Sequence, residues 1–249
     1  MKISAVIPFW SALHLEECLA SLAACPCVSE VLAVGDGSDW GEAEFAESYV
    51  REHALAMRGK QDIALVRHVR PLGPSAARNT GLRMVTNDWC LILDSDDRIV
   101  SLDAQVSALD FAEKDTGFVM GSWRSFDDKG TSFSDNPPEL PTIATLSLSN
   151  MAPVTAIVRV EAWRQLRAKN GEGYDESVVR LGGGEDWLFW LELLALGWRG
   201  LAAPGLMWEY RVGGQQHEKR DRNTFLIRAY VHQKMKQYGV FIPMEYPSA

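Results

Sequence analysis

The sequence predicts an α/β protein with a mostly parallel central sheet flanked by helices. The first hundred residues alternate short apolar runs with amphipathic segments, which is typical of strand–helix crossover units. Polar, chemically rich segments follow three of the apolar runs. The chain has 249 residues, 47% of them hydrophobic, and no internal repeat, so it is long enough to build one large core.

The elements of the first half follow from apolar periodicity. Apolar, often β-branched runs predict strands over 3–9, 30–36, 62–69 and 88–94. Ser11 is a candidate cap for the first helix, whose apolar face carries Leu15, Cys18, Leu19 and Leu22. A second helix follows the second strand. A third, within 71–85, has Pro74 in its first turn.

The second half of the chain has a different pattern of predicted elements. Strand segments around a turn are predicted from residue 117, followed by a strand and a helix over 153–166. A glycine-rich loop precedes a strong helix from 185, which Gly197 ends as a C-cap. Another strand and an amphipathic helix over about 218–238 complete the chain. Because no long linker is present, both halves are expected to belong to one domain.

One stretch, CLILDSDDRI at 90–99, carries an apolar strand directly into three carboxylates, Asp94, Asp96 and Asp97. Two like charges about 4 Å apart repel by ~4 kcal/mol near a protein surface, so a partner is expected. A divalent cation would serve, because hard cations bind carboxylate oxygens. Arg98 could take part of the charge, and a solvated acidic turn is the alternative interpretation of this stretch alone.

The ends of the strands favour the metal interpretation. In sheets of this kind, ligands bind beyond the carboxyl ends of the strands. PFWSALH follows the first strand, GDGSD ends the second, and DSDD ends the fourth. These three segments should therefore converge on one site.

The composition and charge of the chain exclude some classes of binding partner and indicate its cellular compartment. The formal net charge is -8 and no basic face is visible, so nucleic-acid binding is not expected. No apolar stretch approaches the length of a membrane span, and MKISAVIPFW lacks the pattern of a signal peptide. Four cysteines without a zinc-like spacing indicate reduced thiols. A cytoplasmic protein is predicted.

Taken in order, the motifs VIPFW, GDGSD, GPSAARNTGL, LILDSDD, GGGEDWLFWLELLALGW and YR resemble the family 2 glycosyltransferases of GT-A fold, over roughly residues 3 to 212. The resemblance implies an inverting enzyme that moves a sugar from a nucleotide-diphosphate sugar, with a UDP-sugar favoured, to an acceptor hydroxyl. It implies Mn²⁺ or Mg²⁺ as the cofactor, held by Asp94 and Asp96.

The resemblance also implies donor contacts. Asp36 matches the position that recognises the base, and Gly35 replaces the aspartate that usually precedes it. Pro8 and Phe9 would line the nucleotide pocket, with Trp10 a candidate to stack on the base. The remaining implied donor contacts are Arg78, Asn79, Asp94, Ser95, Asp96, Asp97 and Arg211.

For catalysis, the resemblance makes Asp186 the base that takes the acceptor proton. Glu185 and Trp187, on either side, are implied acceptor contacts, although the spacing of Trp187 with later apolar residues also fits core packing. A histidine expected two residues after Tyr-Arg is Gly213 here, and His217 is a candidate to replace it as a metal ligand.

These assignments predict three parts: residues 1–116 as the nucleotide-sugar half, 117–217 as the acceptor and catalytic-base half of the same domain, and 218–249 as a helical tail. The acceptor would be a carbohydrate or a lipid-linked glycan in polysaccharide or glycoconjugate synthesis, and peripheral contact with the inner face of the membrane is compatible with that. The oligomeric state is not predicted. The alternatives are a catalytically degenerate sugar-nucleotide-binding protein and a nucleotidyltransferase, although no phosphate-cradling loop follows the first strand.

Overall fold

A computed structural model describes residues 1–37, 40–127, 129, 132–136, 141–148, 150, 152–212 and 215–243, with the backbone alone at 40–43, 132–136, 179 and 215–222. The strands are β1 Ile3–Phe9, β2 Val28–Asp36, β3 Asp62–His68, β4 Trp89–Ile92, β5 Arg98–Ile99, β6 Thr116–Phe126, β7 Ser132–Asn136, β8 Ala156–Arg159 and β9 Arg199–Arg211. The helices are α1 Leu15–Ala23, α2 Trp40–Ala56, α3 Pro74–Met84, α4 Asp103–Leu109, α5 Ile143–Leu148, α6 Val160–Asn170, α7 Glu185–Ala195 and α8 Gln215–Met235.

Within the described ranges, all nine strands join one sheet in the order β3-β2-β1-β4-β8-β6-β9-β5, with β7 paired to β6. The strands β1, β2, β3 and β4 are mutually parallel, and β6 pairs in parallel with β9. Antiparallel pairing is confined to β5, β7 and β8. The predicted α/β class with a mostly parallel sheet is therefore confirmed.

Both faces of the sheet are covered because successive strand residues point to opposite sides. On one face, Ile3, Ala5 and Ile7 pack under α1, α2 and α4. On the other, Val6 belongs to a core formed with α3, α6, α7 and α8, which includes the fully buried Trp190. This packing on both faces fixes the positions of the carboxyl ends of the parallel strands.

Short elements and caps were less predictable. The sequence did not indicate β5, α4 or α5, each of seven residues or fewer. The cap prediction for Ser11 is wrong: α1 begins after His14, and the Ser11 hydroxyl accepts from the Leu13 amide instead. Over the described part of the chain, we find no helix with the length and apolar character needed to cross a bilayer.

Candidate active site

A cavity of about 600 Å³ opens at the carboxyl ends of the parallel strands. The segments after β1, β2 and β4 meet there, as predicted from the sequence. The start of α7 and the far ends of β6 and β9 close the opposite side. Of the predicted site residues, the cavity lining contains Pro8, Phe9, Asp36, Arg78, Asp94, Ser95, Asp96, Glu185, Asp186 and Arg211, with Trp10 beside them.

Asp36 ends β2 and orders the loop that leads into α3. Its carboxylate accepts hydrogen bonds from the backbone amides of Leu72 (2.8 Å) and Gly73 (2.7 Å) and contacts Nδ1 of His68 at 2.8 Å. Only 7% of the residue is exposed. The carboxylate thus shapes the cavity floor, and its predicted role in base recognition stays a prediction.

The ring of Phe9 accounts for the glycine at position 35. They are paired neighbours on β2 and β1, and a Cβ at Gly35 would lie 2.9 Å from Cζ of Phe9. An aspartate at position 35 would therefore displace the ring. The next glycine, Gly37, has φ +69°, and a Cβ there would meet the Pro71 backbone nitrogen at 2.2 Å, so only glycine fits this turn.

The acidic loop after β4 divides into accessible and buried carboxylates. Asp94 is half-buried and Asp96 is exposed toward the cavity, whereas Asp97 is 1% exposed. Desolvation and the neighbouring charge of Asp94 raise the pKa of Asp96. Burial and the charges of Asp96 and Asp94 also raise the pKa of Asp97. Negative charge is thus concentrated here, and a cation would relieve it.

Asp97 is not placed for direct donor contact. It lies beneath the cavity, where Oδ1 accepts from the Arg211 amide at 2.9 Å and Oδ2 has no hydrogen-bond partner among the described residues. It therefore fastens the end of β9 to the acidic loop.

Arg78 joins the two acidic segments of the cavity. Its guanidinium donates to Oδ1 of Asp94 at 2.8 Å and to Oε1 of Glu185 at 3.0 Å. The residue is 3% exposed. Burial opposes the charge, but the carboxylates of Asp94 and Glu185 outweigh it and raise the pKa of Arg78. A buried, permanently charged cation therefore holds the acidic loop against the start of α7.

Asn79, although adjacent, does not face the donor as predicted. It is fully buried, and its Oδ1 accepts from Trp163 Nε1 (3.1 Å) and the Tyr174 amide (2.9 Å). Its amide nitrogen donates to the Tyr174 carbonyl and to Glu176. These bonds anchor the segment before α7, so a donor contact at Asn79 is not supported by its position.

Asp186 lies in the first turn of α7 and lines the cavity. Its Oδ1 accepts from the Trp187 amide (2.7 Å) and from Nδ2 of Asn150 (3.1 Å). Burial and the neighbouring charge of Glu185 raise the pKa of Asp186 to about 6. A carboxyl with such a pKa is ionised at neutral pH yet basic enough to take a proton.

The backbone before Asp186 requires glycine. Gly184 precedes α7 with φ +91°, and a Cβ there would lie 2.4 Å from Cγ2 of Ile227 on α8. In addition, Nδ2 of Asn223 on the same helix donates to the Leu181 carbonyl at 2.9 Å. The C-terminal helix therefore supports the loop that presents Asp186.

Trp187 is a core residue, and the predicted acceptor contact is not supported. It is 4% exposed, does not line the cavity, and donates its Nε1–H to the Leu146 carbonyl at 2.6 Å. The competing interpretation, core packing at helical spacing, describes it correctly.

Arg211 ends β9 at the cavity wall. Its Nε donates to the Asp96 carbonyl at 2.9 Å, and its guanidinium lies over the Phe126 ring. Glu17 on α1 pairs with both Arg211 and Arg98, which lies on the same ring. Arg211 is thereby held beside the acidic loop, close to where a diphosphate would need a cation. Gly213 and the side chain of His217 lie outside what the structure describes.

Three aromatic residues to which the sequence analysis gave no role in the site form part of the cavity. Trp123 on β6 and Trp208 on β9 are paired neighbours, with ring centroids 5.7 Å apart, and Tyr210 contacts both edge-on. The sequence offers one signal for them, the i, i+2 spacing of Trp208 and Tyr210 on a strand. Their partnership with Trp123 depends on the sheet topology.

The donor set suits a hard divalent cation. Asp94 and Asp96 present carboxylate oxygens to the cavity, and two carboxylates completed by phosphate oxygens and water match the needs of Mg²⁺. Where the structure describes the chain, no group of three or more His, Cys, Asp and Glu is arranged to hold a metal without such additional ligands.

The family model described as Glycosyl transferase family 2 matches residues 4–167, about two thirds of the chain. The chain belongs to glycosyl transferase family 2. The resemblance carried by the ordered motifs is therefore confirmed. The poly(ribitol-phosphate) beta-glucosyltransferase of Bacillus spizizenii is 25% identical to this chain over 161 residues. The matched region covers 61% of this chain and 24% of that protein.

Solved structures of similar fold include the family's TarS from S. aureus. TarS 1-349 in complex with UDP-GlcNAc superposes with a TM-score of 0.68 at 18% identity, covering 94% of this chain and 66% of that one. The mannosyltransferase PcManGT from Pyrobaculum calidifontis, in complex with GDP-Man and Mn²⁺, gives a TM-score of 0.65 at 16% identity, covering 93% and 64%. These likenesses confirm the GT-A fold. The chain spans about two thirds of these structures and about a quarter of the curated relative.

Proposed function

We propose that this family 2 member is an inverting glycosyltransferase that moves a sugar from a nucleotide-diphosphate sugar to an acceptor hydroxyl. The observation that carries the proposal is the placement of Asp186, Asp94 and Asp96 in one cavity. Arg78 links their two segments through its bonds to Asp94 and to Glu185, the neighbour of Asp186. Inverting transfer needs a base on one side of the anomeric carbon and charge stabilisation on the other.

Asp186 is the proposed catalytic base. The acceptor oxygen attacks the anomeric carbon, its proton passes to Asp186, and the bond from that carbon to the diphosphate oxygen breaks. The pKa of about 6 leaves Asp186 ionised at neutral pH. The Asn150 amide, 3.1 Å from Oδ1, orients the carboxylate, so the outer oxygen is available to the acceptor.

Asp94 and Asp96 are the proposed ligands of Mn²⁺ or Mg²⁺ on the donor diphosphate. When bound, the cation would stabilise the negative charge that the leaving diphosphate gains. Arg78 holds Asp94 in place, and Arg211 adds positive charge at the adjacent wall. Ser95, Pro8, Phe9 and Trp10 line the same side of the cavity and are proposed to contact the donor.

The similar proteins support a sugar-nucleotide donor without fixing the base. TarS is solved with UDP-GlcNAc and PcManGT with GDP-Man. A UDP-sugar remains the favoured donor because the sequence aligns Asp36 with the base-recognition position. The name of the Bacillus relative supports a role in polymer or glycoconjugate synthesis.

A nucleotide panel tests the proposal. Calorimetry with UDP, GDP, CDP and dTDP, each with and without Mn²⁺, should identify one that binds in a metal-dependent way. The matching nucleotide sugar should then release nucleoside diphosphate slowly without acceptor and rapidly with one, and NMR of the product should show inverted anomeric configuration. Pyrophosphate release from a nucleoside triphosphate would indicate a nucleotidyltransferase instead. Binding without turnover on any donor would indicate a degenerate binding protein.

A further inference from the structure

The cavity has two chemically different walls. The wall from β1, β2 and the acidic loop carries Asp94 and Asp96, the proposed metal ligands, and Arg78 holds Asp94 in place there. The opposite wall is formed by Trp123, Trp208 and Tyr210, continued by Ala152, Pro153 and Val154. The reaction needs a second substrate, and the second wall is the surface left for it.

The aromatic wall is rigid and partly open. Trp208 is 2% exposed and lies behind the other two rings, with which it makes one stacked and one edge-on contact. Trp123 and Tyr210 are half-buried and contact each other at 5.9 Å with an interplanar angle of 83°. Because Trp208 fixes both neighbours, the exposed ring surface is preorganised rather than assembled on binding.

The same wall is coupled to the acidic loop. Tyr210 is followed by Arg211, whose amide donates to Asp97 and whose Nε donates to the Asp96 carbonyl. A ring seated on Trp123 and Tyr210 is thereby held in fixed register with the proposed metal ligands. The first turn of α7 brings Asp186 to the same cavity.

The charge on this side argues against an anionic ligand. Among the described lining residues, the arginines are Arg78 and Arg211, and both are engaged by carboxylates, Asp94 and Glu185 for Arg78 and Glu17 for Arg211. His14 is the lining imidazole. Among the described lining residues, a phosphate-bearing acceptor would meet the carboxylates of Asp186 and Glu185, and like charges repel in a concave site.

We propose that Trp123 and Tyr210 form the acceptor subsite and that the acceptor end is an uncharged pyranose ring. The axial C–H bonds of a pyranose make an apolar face that packs on an aromatic ring, while its hydroxyls remain free for Asp186. Aromatic surface with a few precisely placed polar groups is the usual lining of a small-molecule site. This assignment rests on the proposed function and adds the chemical class of the second substrate.

Ligand-observed saturation-transfer NMR tests the assignment directly. Methyl glycosides of glucose, galactose, mannose and N-acetylglucosamine are titrated against the full chain, with ribitol 5-phosphate as the anionic probe. At least one glycoside should bind, with signal strongest at its ring C–H protons, and ribitol 5-phosphate should not. Binding of ribitol 5-phosphate alone, or of no glycoside in the panel, would overturn the proposal.

Variants separate the subsite from the fold and from the donor site. Trp123→Ala should weaken glycoside binding about tenfold or more, and Trp123→Phe should restore most of it. Phe111→Ala, an 84% exposed aromatic on the remote α4 side, is the matched control and should bind like wild type. Nucleoside diphosphate affinity should stay near that of wild type in Trp123→Ala, and acceptor-free donor hydrolysis should proceed at the wild-type rate in Phe111→Ala.

Glycoside binding and donor hydrolysis together separate a failure of the acceptor-subsite proposal from a failure of the proposed glycosyltransferase function. Unaltered glycoside binding in Trp123→Ala, with donor hydrolysis intact, would overturn the subsite and leave the transferase standing. Absence of nucleotide binding and of donor hydrolysis in wild type would overturn the proposed function.

Discussion

Arg78 and Glu185 are 107 positions apart in the chain, and their side chains form an ion pair of 3.0 Å in the wall of the cavity. The same guanidinium holds Asp94 at 2.8 Å. One buried cation therefore sets the separation between the proposed metal-binding loop and the proposed catalytic base. The site is assembled by folding, and its geometry should respond to any change at Arg78.

Replacing Arg78 by methionine should lower the free energy of unfolding by about 3 to 5 kcal/mol, because two partly buried carboxylates lose their counter-charge. Urea unfolding followed by circular dichroism measures the change. Arg83→Met, on the same helix, is the control: its pair with Glu176 spans 3.9 Å and both side chains are more than a third exposed, so the change should stay below about 1 kcal/mol. Equal losses in the two variants would contradict the bridging role.

Asp186→Asn should reduce transfer by about 10² to 10⁴-fold, because the amide cannot accept the acceptor proton. Nucleoside diphosphate affinity should remain near that of wild type. Initial rates of sugar transfer and calorimetry measure the two quantities. Asp110→Asn, at the exposed end of α4, provides the charge-matched control. Full transfer activity in Asp186→Asn would rule out the base assignment.

Asp96→Ala should abolish the metal-dependent part of donor binding, because one of the two proposed carboxylate ligands is lost. Calorimetry with the preferred nucleoside diphosphate, with and without Mn²⁺, separates that part from the rest. Asp88→Ala, exposed at the opposite end of β4, should behave as wild type. A Mn²⁺ effect that survives in Asp96→Ala would place the metal elsewhere.

The pH dependence of transfer should follow Asp186. Only the ionised carboxylate accepts a proton, so kcat at saturating donor and metal should be low in acid and rise with an apparent pKa near 6. Asn150→Ala removes a hydrogen bond that stabilises the carboxylate, so this acidic limb should move to higher pH. Coincident wild-type and Asn150→Ala profiles would show that another group controls the limb.

Stability should fall with rising pH because of Glu192, which is 2% exposed. Burial and the charge of Asp175 raise the pKa of Glu192 from 4.5 to about 7. Between these two pKa values, the folded state therefore holds a proton that the unfolded state releases. This contribution to the free energy of unfolding is fully present below about pH 4.5 and is lost as pH rises through 7. Glu192→Gln should remove about 2 to 3 kcal/mol of this dependence, measured by urea unfolding from pH 5 to 8. Parallel plots of unfolding free energy against pH for wild type and Glu192→Gln would contradict this role of Glu192.

The sequence by itself determined the strand–helix order of the first half, the sheet class and the family. Apolar period and turn residues are local signals, so β1 to β4 and α3 appear where predicted. The same rule, that ligands meet the carboxyl ends of parallel strands, brought Asp36, Asp94 and Asp96 to one cavity. The ordered motifs added Asp186.

Tertiary structure alone decided which of the predicted residues reach the cavity. Neighbours in sequence diverge because one residue along a helix turns the side-chain direction by about 100°, and one residue along a strand reverses it. Thus Arg78 lines the cavity while Asn79 is buried, and Asp186 lines it while Trp187 packs in the core. The pairing of Trp123 with Trp208 required β6 and β9 to become neighbours across 85 residues of chain, a long-range contact that no local pattern encodes.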